Sequence, residues 1–391
     1  MTTARRLLQA TALVSTLDRF AMPPMLIAIA RDLDVPLTQV VQAASLYFLA
    51  YGLMQPVWGV VSDRFGLIGT IRAALLVAAV ATGASALVGG AVALAAARGL
   101  AGACFSAAIP AGLVYLGDTV PAPDRQREIT NFMSGSAVGT ALGAAGAGVL
   151  AQAVSWRLAF LVTSAAALVL VIVLRRLPPP GVSRREQRLA TALGRVRRSR
   201  ATWLVLVLAF GDGAVLLGVL TLLPAAVEAT GVGAALAGAV TGVYGVAVLI
   251  FARLAGALSR RTGRWQLPAA GAGGALAGCA LVAVTQVPAA AVVTAFLLGM
   301  GWAWLHSTMQ TWATEVLPSA RATVVSLFAA ALFLGSAIAA LLAAGPAEQG
   351  RFGAVFAVAA VLTVPLGVTA AVGRARWRAP ADETESRTSE C

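Results

Sequence analysis

The chain has 391 residues, 59% hydrophobic and 12% charged, with mean hydropathy +0.85; its 29 basic residues, all arginine, against 16 acidic ones give a formal net charge of +13. Soluble domains carry roughly 25% charged residues, so most of this chain belongs in lipid, and its positive charge reads as membrane topology and attraction to an anionic inner leaflet, not as nucleic-acid binding. With no lysine, a P-loop lysine, a Schiff base and a Ser-Lys dyad are excluded, and one histidine without a Cys-x-x-Cys leaves no zinc motif; neither an enzyme nor a cofactor is expected.

Apolar runs of roughly 20 residues, enough to cross about 30 Å of hydrocarbon, recur along the whole chain. Twelve are expected, near residues 9–30, 40–61, 70–88, 92–116, 130–153, 157–174, 202–226, 236–257, 267–286, 289–313, 322–344 and 352–373. The first run follows Arg5 and Arg6 but is interrupted by Asp18 and Arg19, so it reads as a span and not as a cleaved signal peptide. Arginine is concentrated at the two ends and in the even-numbered loops, whereas the odd loops hold Arg31, Arg157 and Arg351. Basic loops stay on the cytoplasmic side, so a multi-pass plasma-membrane protein with both termini cytoplasmic is expected.

The chain divides into a first bundle over residues 1–174, an Arg-rich cytoplasmic linker over 175–201, a second bundle over 202–373 and a polar, disordered tail over 374–391. Within the linker, Arg184 to Arg200 is a candidate basic amphipathic helix on the inner leaflet. Cys104, Cys279 and Cys391 suggest no pairing.

Two stretches 197 residues apart repeat one pattern at the end of an apolar run: Gly59-Val-Val-Ser-Asp63-Arg64-Phe-Gly66 and Gly256-Ala-Leu-Ser-Arg260-Arg261-Thr-Gly263. Asp118, Val120 and Pro121 match Glu315, Leu317 and Pro318 at the same offset. This is the mark of an internal duplication. Together with Arg98-Gly99-Leu-Ala-Gly102 in span four and Trp156-Arg157-x-x-Phe160 opening span six, the loop Gly59-x-x-x-Asp63-Arg64-x-Gly66 resembles the major facilitator superfamily. The resemblance implies an all-α integral membrane fold of twelve transmembrane helices in two pseudo-symmetric six-helix bundles, with spans one, four, seven and ten lining a central cavity.

It also implies a gating latch at Gly59, Asp63, Arg64 and Gly66 that closes the cytoplasmic side when the opposite side is open. Leu67 and Ile68 stand where the family has basic residues, so Arg72 is a candidate substitute. Span five carries Gly135, Gly139 and Gly143 at steps of four, a face for close helix packing. That spacing resembles the antiporter motif of drug-exporting members, although Gly143-Ala144 replaces the motif's Gly-Pro.

Charges at mid-bilayer cost about 2.5–3.5 kcal/mol even on lenient scales. Asp18 and Asp212 each lie about ten residues into corresponding spans, one and seven, and Arg98 in span four is within reach of Asp18. Asp18 is expected to be the principal proton-binding carboxylate, with Arg98 holding its charged form and Asp212 as a second acid; a static ion pair is the alternative. Arg19, about 100° around the helix from Asp18, pairs elsewhere or meets the lipid boundary. Trp302, His306 and Met309 or Gln310 share a face of span ten, and with Met22 and Tyr51 form the candidate substrate contacts.

These features point to a monomeric, proton-coupled secondary transporter exporting an amphipathic small molecule such as a drug. Proton symport importing a metabolite or sugar is the alternative within the class, and a non-transporting receptor or scaffold the alternative outside it.

Overall fold

The computed structural model describes residues 2–178, 189–259 and 261–377. Among the described residues the chain is all helix and contains twelve helices long and apolar enough to cross a membrane: Ala4–Asp32, Leu37–Ser62, Leu67–Ser85, Ala91–Thr119, Arg127–Ala153, Trp156–Arg176, Arg200–Glu228, Ala234–Leu258, Gln266–Val284, Pro288–Glu315, Pro318–Glu348 and Phe352–Arg376. These are numbered spans one to twelve below. An even number of spans puts both ends of the chain on one face of the bundle, here called the terminal face, opposite a distal face. Cys104 and Cys279 are buried free thiols; Cys391 and the tail beyond 377 lie outside the described residues.

Four of the twelve spans are interrupted, and they are spans one, four, seven and ten. In span one, Pro23 and Pro24 remove two backbone donors and force a 3₁₀ turn at Pro23–Met25 between Thr2–Ala21 and Leu26–Asp32. Span four breaks between Phe105 and Ala108. Spans seven and ten loosen into π-helix at Gly213–Gly218 and at Trp302–His306, wide turns that often accompany functional sites. The other eight carry their core through without such breaks, so irregular backbone is confined to the helices at the centre of the molecule.

Small residues let these broken helices be gripped from outside. A Cβ on Gly135 or Gly139 would overlap the carbonyl oxygens of Gln9 and Leu13, and one on Gly143 would come 2.6 Å from that of Leu17, so span five lies directly on the span-one backbone. The second half repeats the device, with Gly335 of span eleven against the Phe210 carbonyl and Gly213 of span seven against that of Leu332.

The hydrogen bonds and close contacts described between the halves lie at the middle and the distal face. Gly148 and Gly238 bring spans five and eight into backbone contact, and Gln152 accepts a 2.9 Å hydrogen bond from the Ala235 N–H at the start of span eight. Thr38 donates to Glu348 from both its amide and its hydroxyl, joining spans two and eleven, and Phe333 packs on Tyr51 at 4.5 Å between ring centroids. Nearer the terminal face, nothing lies within 4 Å of a Cβ at Gly59 or Gly256.

The linker helix covers Leu189–Arg198; Arg184, Arg185 and Arg188 lie outside the described residues. Ala192 and Val196, one turn apart, are buried, and Arg195 donates to the Ser319 carbonyl at the start of span eleven. Its apolar face is thus docked on the second half, not presented to lipid.

Overfilling a packed contact costs about 1–3 kcal/mol, so Gly139→Val is expected to lower the thermal unfolding midpoint of the detergent-purified protein by several degrees, whereas Gly146→Ala, which meets open space, leaves it unchanged. Equal midpoints for both variants would contradict the close span-one contact.

Candidate functional site

Asp18 is fully buried, and span four brings Arg98, 1% exposed, directly against it. The guanidinium grips the carboxylate with both ends, Nη2 at 2.7 Å from Oδ2 and Nη1 at 3.2 Å from Oδ1. Thr82 of span three donates a further hydrogen bond to Oδ1 at 3.1 Å. Above and below, Arg98 is flanked by the rings of Tyr47 and Phe160 at 4.6 and 4.7 Å. A planar cation that never loses its proton, held between two π faces and forked onto a carboxylate, is a strong and geometrically fixed pair.

The second half also builds a buried pair between its corresponding spans, seven and ten, but from different chemistry and at other positions along them. Span seven enters its π-helical stretch immediately after Asp212, and span ten is π-helical up to His306. The wide turns bring the two side chains together: His306 Nδ1 lies 2.7 Å from Asp212 Oδ2. Asp212 is fully buried and His306 5% exposed. Trp302 stacks on the imidazole at 3.8 Å between centroids, with Phe328 at 5.7 Å. The other carboxylate oxygen of Asp212, Oδ1, is buried and has no hydrogen-bond partner.

Between these pairs lies Arg19. It points away from Asp18, as the helix geometry requires, but it meets neither lipid nor an acid. It is 8% exposed, donates to the Tyr51 hydroxyl, and lies over the rings of Tyr51 and Phe333 at 4.3 and 5.1 Å. Tyr51 is on span two and Phe333 on span eleven, so the guanidinium is at the junction of the halves. Its Nε is buried without a partner, and among the described residues no carboxylate pairs with it. Tyr244 of span eight, packed against Phe20 at 6.0 Å, lies in the electrostatic field of both Arg19 and Asp212.

Of the sequence candidates, Tyr51 belongs to this centre, and Trp302 and His306 form one stacked unit. Met22 is buried at the break in span one. Met309 is buried while Gln310 is exposed. Arg19 and the direct Asp212–His306 bond were missed. The available signal was their place in the chain: Arg19 shares a span with Asp18, and spans seven and ten correspond to one and four.

At the terminal face, Gly66 has φ +83°, a conformation that only glycine adopts without strain, and it separates spans two and three. Arg64 is exposed and stacks 5.6 Å over Phe65; no ion pair joins it to another described residue, and the side chain of Asp63 lies outside the described residues. Arg72 donates to the Val171 carbonyl of span six, within its own half. Among the described residues, the contacts of Arg64 and Arg72 therefore stay within the first half. Among the described residues no cluster of three His, Cys, Asp or Glu is placed to hold a metal ion.

A helical protein of two six-span bundles with charged pairs between its broken inner helices is built as a membrane carrier. Residues 10–340 match the family model described as Major Facilitator Superfamily, and the chain belongs to that family. Its curated relatives include the hexuronate transporter of Escherichia coli (strain K12), 35% identical over 142 residues, or 35% of this chain and 32% of the relative. The galacturonate transporter of Dickeya chrysanthemi is 38% identical over 124 residues, 32% of this chain and 36% of the relative. The matched stretch thus spans about a third of each relative's length. Among solved structures, the nucleoside transporter NupG superposes with a TM-score of 0.76 at 14% identity, covering 97% of this chain and 100% of that one. A D-xylose-proton symporter superposes with 0.72 at 16% identity, covering 98% of both chains. These two likenesses show the fold.

Leaving a buried carboxylate without its cation costs about 3–5 kcal/mol, more than replacing both partners by neutral groups. Arg98→Leu is therefore expected to depress the thermal unfolding midpoint strongly, and Asp18→Leu added to it to recover much of the loss. A double variant less stable than the single one would mean that the pair is not the anchor of spans one and four.

Proposed function

We propose that the protein is a proton-coupled symporter that imports a small organic anion of the sugar-acid type by alternating access. Arg19 carries this reading. A buried arginine without an acid partner, placed where the two halves meet, is an uncompensated charge that an anionic substrate would neutralise, and a planar guanidinium suits a carboxylate. The curated relatives, named for hexuronate and galacturonate, support the same substrate class. They favour import over the drug export expected from the glycines of span five, which here serve helix packing.

In this reading the terminal face is cytoplasmic, as the arginine distribution expects, and contacts between the halves at the middle and the distal face suit an inward-facing state. The links Thr38–Glu348 and Gln152–Ala235 then close the outer side. Substrate released inward leaves the site empty, the halves rock about the central Tyr51–Phe333 contact, and the Gly59–Gly66 loop closes the inner side. Trp302 and Tyr51 offer rings to the substrate's apolar face, and Asp18 and Asp212 are the carboxylates available for coupling.

Purified protein in liposomes is expected to accumulate labelled galacturonate or glucuronate when the outside is made acidic, and to leave galactose and glucose outside. Hydrogen bonds to charged groups contribute about 1.5–3 kcal/mol, so Arg19→Gln should weaken the apparent affinity by about 10- to 100-fold. Equal uptake by the variant, or export of cationic dyes in preference to any acid, would refute the reading.

A further inference from the structure

The two pairs differ in the one property that matters for carrying a proton. In the first half the acceptor capacity of Asp18 is taken up by both arms of Arg98 and by Thr82. A proton arriving there has to displace a cation that cannot itself give one up. In the second half the cation of the pair is a histidine, the side chain that titrates nearest neutral pH. With Nδ1 bonded to Asp212 Oδ2, Nε2 bonds no described residue and is the nitrogen left to gain or lose a proton, and Asp212 Oδ1 is an unused acceptor. A proton can enter this pair without breaking any contact that holds it.

We infer that the Asp212–His306 pair is the seat of the co-transported proton, which His306 Nε2 takes up when an anion occupies Arg19. The coupling half of this inference rests on the anion-symport reading above. Its cause is charge balance in a water-poor centre. With His306 neutral, Asp212 leaves the pair with one negative charge, opposite in sign to Arg19 in the same water-poor centre. An anion on Arg19 adds a negative charge; one proton on His306 turns the pair into a neutral imidazolium–carboxylate and restores the balance. Asp18–Arg98 stays neutral in both states. The proton comes from the open side with the anion and leaves with it on the other, so no other reactant is needed.

The surroundings leave this pair as the titrating element of the centre. Span ten itself stacks Trp302 on the imidazole, and span eleven presents Phe328. The charges on the remaining neighbours are at the ends of their helices: Glu315 bonded to Arg374 between spans ten and twelve, Arg321 and Glu348 at the two ends of span eleven, and Arg253 near the end of span eight. Span nine presents the buried thiol of Cys279.

His306 is the sole histidine of the chain, so full-length protein carrying a histidine-free affinity tag and isotope-labelled histidine gives one imidazole signal, assigned without further work. An adjacent carboxylate favours the imidazolium, so Asp212→Asn is expected to lower the titration midpoint of that signal by about one pH unit or more, and Asp18→Asn to leave it nearly unmoved. By reciprocity of linked binding, saturating galacturonate should raise the wild-type midpoint and have no effect in Arg19→Gln. In liposomes, His306→Gln should lower galacturonate accumulation driven by a pH gradient far more than it lowers exchange between equal concentrations.

A signal that does not titrate, or that responds to Asp18→Asn as much as to Asp212→Asn, overturns the inference. So does galacturonate uptake by a wild type whose His306 midpoint ignores galacturonate, and that result leaves the symport reading standing. The opposite failure is also visible: no sugar acid transported, with a midpoint still lowered by Asp212→Asn, keeps the proton seat and sinks the substrate.

Discussion

A charged side chain in the middle of a membrane has to be neutralised by the protein around it, and that requirement organises the core of this molecule. Asp18, Arg19, Arg98, Asp212 and His306 are all at least nine-tenths buried, and they come from the four interrupted spans. Two acid–base pairs, Asp18–Arg98 and Asp212–His306, join span one to four and span seven to ten, each within one half. Because each pair is closed inside its own bundle, the bundles can move against each other without tearing a buried ion pair apart. Arg19 is left at the seam, where movement of the halves changes what it meets: its partners Tyr51 and Phe333 belong to different bundles.

The helix breaks follow from the same need. A regular helix offers a side chain every 100° and nothing between, whereas a π turn inserts an extra residue and shifts the faces beyond it. His306 reaches Asp212 at the end of one such turn and the beginning of another. The outer helices allow this because their glycines approach the broken backbones closely, Gly135, Gly139 and Gly143 on span one and Gly335 on span seven, so van der Waals contact replaces some of what the irregular turns give up.

Much of this was legible in the residues alone. All twelve spans were placed to within a few residues, since 20 apolar residues between arginine-bearing breaks leave little freedom. Asp18 and Arg98 were matched because depth in a helix counts directly in residues. The Asp212–His306 bond was not, because two π turns alter the register on which a face assignment depends, and composition shows no π turn. Whether Arg19 pairs elsewhere or meets the lipid boundary stayed open for a related reason: the 100° rotation from Asp18 was correct, but the direction in which that rotation points depends on how the two halves pack, which no single-helix pattern contains. The linker helix departed for an energetic reason, since docking Ala192 and Val196 on the second half satisfies its apolar face within the protein.

The duplication explains why corresponding spans carry the two pairs, although the paired residues themselves are not at corresponding positions. An arginine and a histidine pose different problems in a low-dielectric centre. The arginine stays charged at any relevant pH, so its carboxylate must stay charged too, and the pair is a fixture whose worth lies in orientation. The histidine can exist without its charge, so its carboxylate is sometimes compensated locally and sometimes by whatever cation lies across the seam. Arg19, at the junction of the halves, is a buried cation without an acid partner among the described residues. An asymmetric pair of pairs, one fixed and one adjustable, lets a duplicated scaffold keep one half rigid while the other registers what occupies the cavity between them.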